Sequence, residues 1–306
     1  MKVLIATEKP FAPAAINQIK PVFEKAGYNL ELLEKYEDKS QLLEKVSDAD
    51  ALIIRSDKIT KEVIDAANKL KIVVRAGAGY DNVDLEAASA KGIVVMNTPG
   101  QNSNAVAELA LGLMVYMARN QFNGKAGTEL KGKTLGIHAY GNVGKLVANI
   151  AKGFGMQVSA FDPFIPKEKI EADGVKVYDS AEELYTGNQY ISLHIPANDK
   201  TKKSINYNLL SRMPNGATLV NTARKEVVDE NDLVKLLEER SDFKYVSDIA
   251  PTNAEELLTK FPTQCFFTPK KMGAQTAEAN INAGVAAANQ IVNFIENGDI
   301  TFKVNK

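Results

Sequence analysis

A chain of 306 residues, 45% of them hydrophobic and 25% charged, has apolar mass for more than one core and is long for a single domain. Its 37 Lys and Arg against 38 Asp and Glu give a net charge of −1, which argues against electrostatic partners such as nucleic acid or an acidic membrane surface. One cysteine, Cys265, excludes an internal disulfide, and with only His138 and His194 no multi-histidine metal site is expected.

The chain opens on an apolar strand, Lys2–Thr7, with none of the features of a signal peptide. No run reaches the ~18 apolar residues of a membrane span, so a cytoplasmic protein is expected. Further strands are predicted at Ala51–Ile54, Ile72–Arg75 and Ile93–Met96, with helical patterns at Lys61–Ala67 and Leu85–Lys91 between them. A Pro-Gly turn at 97–100 precedes a long apolar helix, Ser103–Arg119. Its Leu111, Leu113, Met114 and Met117 require burial, either in a core or against a second copy of the chain. Strands then follow at Thr134–His138, Gln157–Phe161, Tyr190–Leu193, Ala217–Asn221 and Tyr245–Asp248, alternating with helices such as Val143–Phe154 and Glu230–Arg240. A last helix, Ala274–Glu296, is placed to return to the first domain.

Strands alternating with helices predict parallel sheets covered on both faces, and nine strands are many for one sheet. The expected fold is therefore α/β, with two Rossmann- or flavodoxin-like doubly wound domains. Residues 1–98 and the returning segment 277–306 are expected in one discontinuous domain, and residues 99–276 in the other.

The strand Thr134–His138 runs into Ala139-Tyr140-Gly141-Asn142-Val143-Gly144 and then a helix. This is a dinucleotide fingerprint with alanine at the first glycine position. Gly141 would let the backbone approach a pyrophosphate and Gly144 would let the helix pack on its strand, with the phosphates at the helix N-terminus beside Tyr140, Asn142 and Val143. The next strand ends in Asp162, 21 residues after Gly141, where a carboxylate accepts from the adenine-ribose hydroxyls. It should repel a 2′-phosphate, so NAD is the expected cofactor.

Several segments in one order carry a resemblance: Arg75-Ala-Gly-Ala-Gly-Tyr-Asp-Asn-Val-Asp84, Asn97-Thr-Pro-Gly100, Ala107-Glu-Leu109, Ser192-Leu-His-Ile-Pro196, Leu219-Val-Asn-Thr-Ala-Arg224, Val228-Asp-Glu230 and Gly273-Ala-Gln-Thr-Ala-Glu278. Together they resemble the D-isomer-specific 2-hydroxyacid dehydrogenases, in particular the phosphoglycerate dehydrogenase branch. The resemblance implies that 1–98 with 277–306 is the substrate domain and 99–276 an inserted NAD-binding cofactor domain. It further implies hydride transfer at C2 of a 2-hydroxy acid in a homodimer built largely through the cofactor domain, and a short form ending at Lys306 without an appended regulatory domain. It matches Arg224 to the cation that holds the substrate carboxylate and polarises the C2 oxygen, a task for which a planar guanidinium suits better than an ammonium. It places backbone N–H groups of Ala76, Gly77 and Ala78 on that carboxylate and His194, Pro196, Thr222, Ala223 and Gly273 beside the cofactor. Asp248 is expected beside the nicotinamide carboxamide.

The departures carry more information. Anchoring on Gly273-Ala274 puts Lys271 where the family has its histidine, and counting five residues from Asp248 puts Asn253 where it has the histidine's acidic partner. Both members of the pair change together. Lys271 is then expected to act as acid and base, the alternative being a dead site in which it is one of two surface lysines after a proline; an ordinary lysine with pKa about 10.4 is a poor base at neutral pH, and removing an acidic neighbour favours the neutral amine. Position 225 is Lys where the family often has Gly. For a phosphorylated tail, Arg55 and Lys58 supply charge, with Ser56 between them and Asn102 as a further polar contact. The expected activity is NAD-dependent oxidation of D-3-phosphoglycerate to 3-phosphohydroxypyruvate, the first step toward serine. The alternatives are a glyoxylate, hydroxypyruvate or D-lactate dehydrogenase, or a non-catalytic NAD(H)-sensing protein.

Overall fold

A computed structural model describes residues 1–306 as two compact units, Met1–Asn102 with Thr276–Lys306, and Ser103–Gln275. All strand pairings within the two sheets are parallel. No helix is long and apolar enough to cross a membrane.

The first unit is built on five strands, β1 (Lys2–Thr7), β2 (Asn29–Glu34), β3 (Ala51–Ile54), β4 (Ile72–Arg75) and β5 (Val94–Asn97), in the order β2-β1-β3-β4-β5 of flavodoxin-like sheets. Alternate residues of the central strands enter opposite layers. Leu4, Leu52, Ile54 and Val73 pack on one face, and Ile5, Ile53, Ile72 and Val74 on the other. This is why these strands read as unbroken apolar runs; each such side chain contributes about 1.5–3 kcal/mol when fully buried. The helix Ala277–Asn297 lies in the second layer through Ala283, Ala287, Ala288 and Ile291. Its Gly284 is demanded by close approach, since a Cβ there would stand 2.7 Å from Ile19 Cδ1. The tail then binds the sheet: Asn305 Oδ1 accepts from Val95 N–H at 2.8 Å and Asn305 Nδ2 donates to Ile93 O at 2.9 Å. The chain's last segment is thus part of the fold of its first.

The second unit carries β6 (Thr134–His138), β7 (Gln157–Phe161), β8 (Lys176–Val177), β9 (Tyr190–Leu193), β10 (Thr218–Asn221), β11 (Lys244–Ser247) and β12 (Cys265–Phe267). Their order, β12-β11-β10-β9-β6-β7-β8, is the Rossmann arrangement extended by one strand, and it reverses direction between β6 and β9. The long helix Ser103–Ala118 covers one face with the helix Asn142–Gly153, burying Ala107, Ala110, Leu111, Met114 and Met117 in the core, while Leu109, Val115 and Tyr116 are only partly covered. Open α/β sheets bind ligands at the carboxyl ends of their strands beside such a reversal, and β6, β7, β9, β10 and β11 deliver their terminal residues there.

Candidate active site

At the end of β6 the turn takes the shape a pyrophosphate needs. Ala139 has φ +79, the left-handed conformation that usually falls to glycine, and its N–H donates to Phe161 O at 2.9 Å. Gly141 caps the helix Asn142–Gly153 without a side-chain bond, and a Cβ built on it meets no atom within 4 Å. Gly144 is the opposite case: a Cβ would lie 2.3 Å from Ala139 O, so only glycine lets the helix seat on the strand. Asn142 is exposed and Val143 half-buried at the helix start. The Asp162 carboxylate is pre-oriented, one oxygen accepting from Tyr140 N–H at 2.8 Å and the other from Phe164 N–H at 2.8 Å and Ile165 N–H at 3.2 Å. A carboxylate has about four acceptor positions, so capacity for ribose hydroxyls remains. Tyr140 is held on its far side by Asp173, whose carboxylate also pairs with Lys145 at 3.0 Å. The turn therefore fits a dinucleotide.

Both histidines are kept neutral by burial. The imidazole of His138 is pushed down to about 4, its Nδ1 lying 3.2 Å from Tyr185 Oη. That of His194 is pushed down to about 3, with its Nε2 3.0 Å from Ser192 Oγ. Neither is a protonated acid at neutral pH. His194 remains placed at the end of β9, next to the exposed Pro196.

Arg224 follows β10 on a loop braced from beneath. Buried Asn221 accepts from Ala223 N–H at 3.0 Å through Oδ1 and donates to Arg224 O at 3.0 Å through Nδ2. The half-buried Arg224 guanidinium donates to Ala223 O at 2.9 Å. Lys225 begins a short 3-10 turn and is not among the residues with positive φ, so the side chain there carries no backbone penalty. Thr222, beside Arg224, has a buried hydroxyl with no hydrogen-bond partner, and so does the side-chain oxygen of Asn253. Buried side-chain oxygens without a partner are also found at Thr7, Thr60, Thr98 and Gln290, so these two do not by themselves mark a ligand site.

Lys271 lies on the segment after β12 and is exposed. The neighbouring peptides are tied on both sides: Thr268 Oγ1 lies 2.8 Å from Lys270 O, and Asp248 Oδ1 accepts from Met272 N–H at 2.7 Å. Asp248 Oδ2 accepts from Gly273 N–H at 2.7 Å, and a Cβ on Gly273 would stand 2.9 Å from that oxygen. The resemblance places Asp248 beside the nicotinamide; its side chain is buried, and it bonds to the protein's own backbone and to Thr268. Asn253 opens the helix Ala254–Lys260 without donating or accepting a capping bond.

In the first unit the loop after β4 is shaped around its glycine. Gly77 has φ +149, and a Cβ there would fall 1.6 Å from Arg75 Nη1, so the Arg75 guanidinium lies directly over it. Thr98 N–H donates to Gly77 O at 3.0 Å and Asn97 Nδ2 to Ala78 O at 2.6 Å, which fixes the loop from β5; Ala76 is buried and Ala78 exposed. Arg75 escaped the sequence reading, although it opens the glycine-rich run that carries the resemblance. Arg55 differs from expectation. Its guanidinium donates to Lys9 O and Pro10 O, both at 3.1 Å, and to Asn280, and lies 5.1 Å from the Phe11 ring centre. It ties the first and last segments of its unit together. Lys58 and Ser56 are exposed beside it, over the buried Asp57, and Asn102 is half-buried at the unit's end.

A model of the catalytic domain of D-isomer specific 2-hydroxyacid dehydrogenases matches residues 5–305. The chain is 41% identical over 270 residues to a D-3-phosphoglycerate dehydrogenase of Methanocaldococcus jannaschii, covering 83% of this chain and 51% of that one. It thus spans about half the length of that relative. It is 34% identical over 279 residues to a hydroxypyruvate reductase of Thermotoga maritima, covering 86% and 90%. The crystal structure of an NAD+-bound 3-phosphoglycerate dehydrogenase in Entamoeba histolytica superposes with a TM-score of 0.89 at 48% identity, covering 100% of this chain and 99% of the other.

Proposed function

Because the chain belongs to the D-isomer specific 2-hydroxyacid dehydrogenase family, we propose that it catalyses the NAD-dependent interconversion of D-3-phosphoglycerate and 3-phosphohydroxypyruvate. NAD, when bound, supplies the hydride acceptor for C2. Tyr140, Gly141, Asn142 and Val143 would take its pyrophosphate, Asp162 its ribose, and His194, Pro196, Thr222, Ala223 and Gly273 the remainder. Arg224 holds the substrate carboxylate and draws charge from the C2 oxygen; of the expected backbone donors, Ala76 N–H and Gly77 N–H instead donate to Ile54 O at 2.8 Å and to Arg75 O at 2.9 Å, so Ala78 N–H is the donor assigned on that loop. The neutral amine of Lys271 accepts the C2 hydroxyl proton during oxidation; in reduction its ammonium returns that proton to the carbonyl oxygen. Asn253 stands where the resemblance puts the acidic partner of the family's histidine.

The observation that carries this reading is the anchoring of the Lys271 segment to the strand tip next to the one that bears Arg224, through Asp248. The phosphate is assigned to Lys58, with Arg55, Ser56 and Asn102 around it, and Arg75 is added as a cation. The proposal extends to a cytoplasmic homodimer supplying the first step toward serine. A second reading, reduction of an unphosphorylated acid such as hydroxypyruvate or glyoxylate, gains from the commitment of the Arg55 donors inside the fold. NADH oxidation measured with phosphohydroxypyruvate, hydroxypyruvate, glyoxylate and pyruvate separates the two. The proposal expects the highest kcat/KM with the phosphorylated acid. A preference for an unphosphorylated one transfers the assignment to the second reading, and tight NADH binding with no turnover of any leaves only a cofactor-sensing protein.

A further inference from the structure

We propose that Asp57 is a positioning residue that fixes the loop presenting Ser56 and Lys58, and that it thereby sets the preference for a phosphorylated acid. This rests on Lys58 holding the substrate phosphate. The loop leaves β3 with its side chains alternating: Asp57 and Ile59 have 1% and 0% exposure, while Ser56 and Lys58 are exposed. The Asp57 carboxylate gathers donors from three strand ends. Its Oδ1 accepts from Glu8 N–H, just after β1, at 2.7 Å and from the Tyr36 hydroxyl, shortly after β2, at 2.8 Å; its Oδ2 accepts from Arg55 N–H, just after β3, at 3.2 Å. The loop backbone is held as well. Asn82 Nδ2 donates to Asp57 O at 2.7 Å, Ile59 N–H to Asn82 O at 2.8 Å, and Arg75 Nε to Arg55 O at 3.0 Å.

The residues on both sides of Lys58 are therefore fixed, while its own side chain is exposed. Lysine is a point charge on a flexible four-carbon stem, so its contribution to holding an anion depends on how firmly its root is placed. A carboxylate is the chemistry position 57 needs, because all three groups that meet it are donors and it only accepts. An amide would keep one oxygen for the Glu8 N–H and the Tyr36 hydroxyl but turn its NH2 group toward the Arg55 N–H. That releases the loop from β3 while the ties to the ends of β1 and β2 remain.

The test is a double-mutant cycle on the full chain, read with two acids that differ only by the phosphoryl group. Asp57→Asn and Tyr36→Phe are made alone and in the Lys58→Ala background, with kcat and KM for phosphohydroxypyruvate, kcat/KM for hydroxypyruvate and the dissociation constant for NADH determined for each. Alone, Asp57→Asn should raise KM for phosphohydroxypyruvate about fivefold, and Tyr36→Phe by less, with the other three quantities changed by under about twofold. In the Lys58→Ala background neither should raise that KM by more than about twofold, because the cation they position is gone. An equal loss with both acids would make Asp57 a residue of the fold alone and overturn the proposal, as would an undiminished effect in the Lys58→Ala background. If Asp57→Asn does not fold, Tyr36→Phe decides by the same comparison. An unchanged KM in Lys58→Ala alone is a different failure: it removes the phosphate from Lys58, and the positioning role with it.

Discussion

Ala139 holds φ +79 at a position where the fingerprint has glycine, and that conformation costs a residue with a Cβ about 1–2 kcal/mol. Ala139→Gly should stabilise the protein by up to about 1 kcal/mol, the relief being partly offset by glycine's greater freedom in the unfolded chain. Denaturant unfolding checks this, and a loss of stability would mean that the alanine methyl packs to greater effect than the strain it causes. Two cations near the end of β3 separate in the same way. Lys58→Ala should raise KM for phosphohydroxypyruvate about tenfold with NADH binding unchanged, as expected for losing one charged contact. Arg55→Ala should instead lower unfolding stability by about 1 kcal/mol, because the carbonyls of Lys9 and Pro10 lose their donor and Phe11 its cation. The sequence shows Arg55 and Lys58 as equals three positions apart. The partner that distinguishes them, Asn280, lies 225 residues away and is invisible to any local pattern. Lys271 and Asn253 were legible only as departures from a motif, and the hidden carboxylate of Asp248 was legible as a residue while its partners were not.

At the scale of elements, the turn between β6 and the helix Asn142–Gly153 is the most constrained piece of the second unit. Gly144→Ala would force a methyl to within 2.3 Å of Ala139 O. The helix must shift, so stability should fall by roughly 2 kcal/mol and NADH binding should weaken with it. Measuring both in one titration series distinguishes this from a substitution that only loosens the fold. The strands β1, β3, β4, β6, β7 and β9 stand where apolar β-branched runs predict them, because central strands buried on both faces have no other way to read. The missed ones are at or near sheet edges. β2, Asn29–Glu34, is half exposed and mixes Leu with Glu, while β8 and β12 have two and three residues. Short or one-sided strands leave too few alternations to register. The return of the C-terminal segment was legible as an apolar helix looking for a partner; the Asn305 bonds that complete it were not.

For the molecule as a whole, the two suppressed histidines predict an acid limit. Each has an ordinary pKa of 6.5 when unfolded and a lower one when folded, about 4 for His138 and about 3 for His194. The unfolded chain therefore takes up protons first as the pH falls, and stability present above pH 6.5 is lost progressively toward pH 4 and below. With each unit of difference equivalent to about 1.4 kcal/mol, His138 alone withdraws roughly 3 kcal/mol. Unfolding midpoints measured from pH 7 to 4 should fall steeply, and a His138→Gln variant should show a shallower fall over the same range. An unchanged slope would show that other groups set the limit. The same burial removes both imidazoles from proton transfer at neutral pH, which returns the chemistry to the amine.

That assignment is tested most directly by steady-state turnover of Lys271→Ala with NADH and phosphohydroxypyruvate, alongside its affinity for NADH. A drop in kcat of about 10²-fold or more with NADH affinity retained is the result expected of a lost acid and base. Turnover close to that of the unaltered chain would contradict it and place the proton on another group.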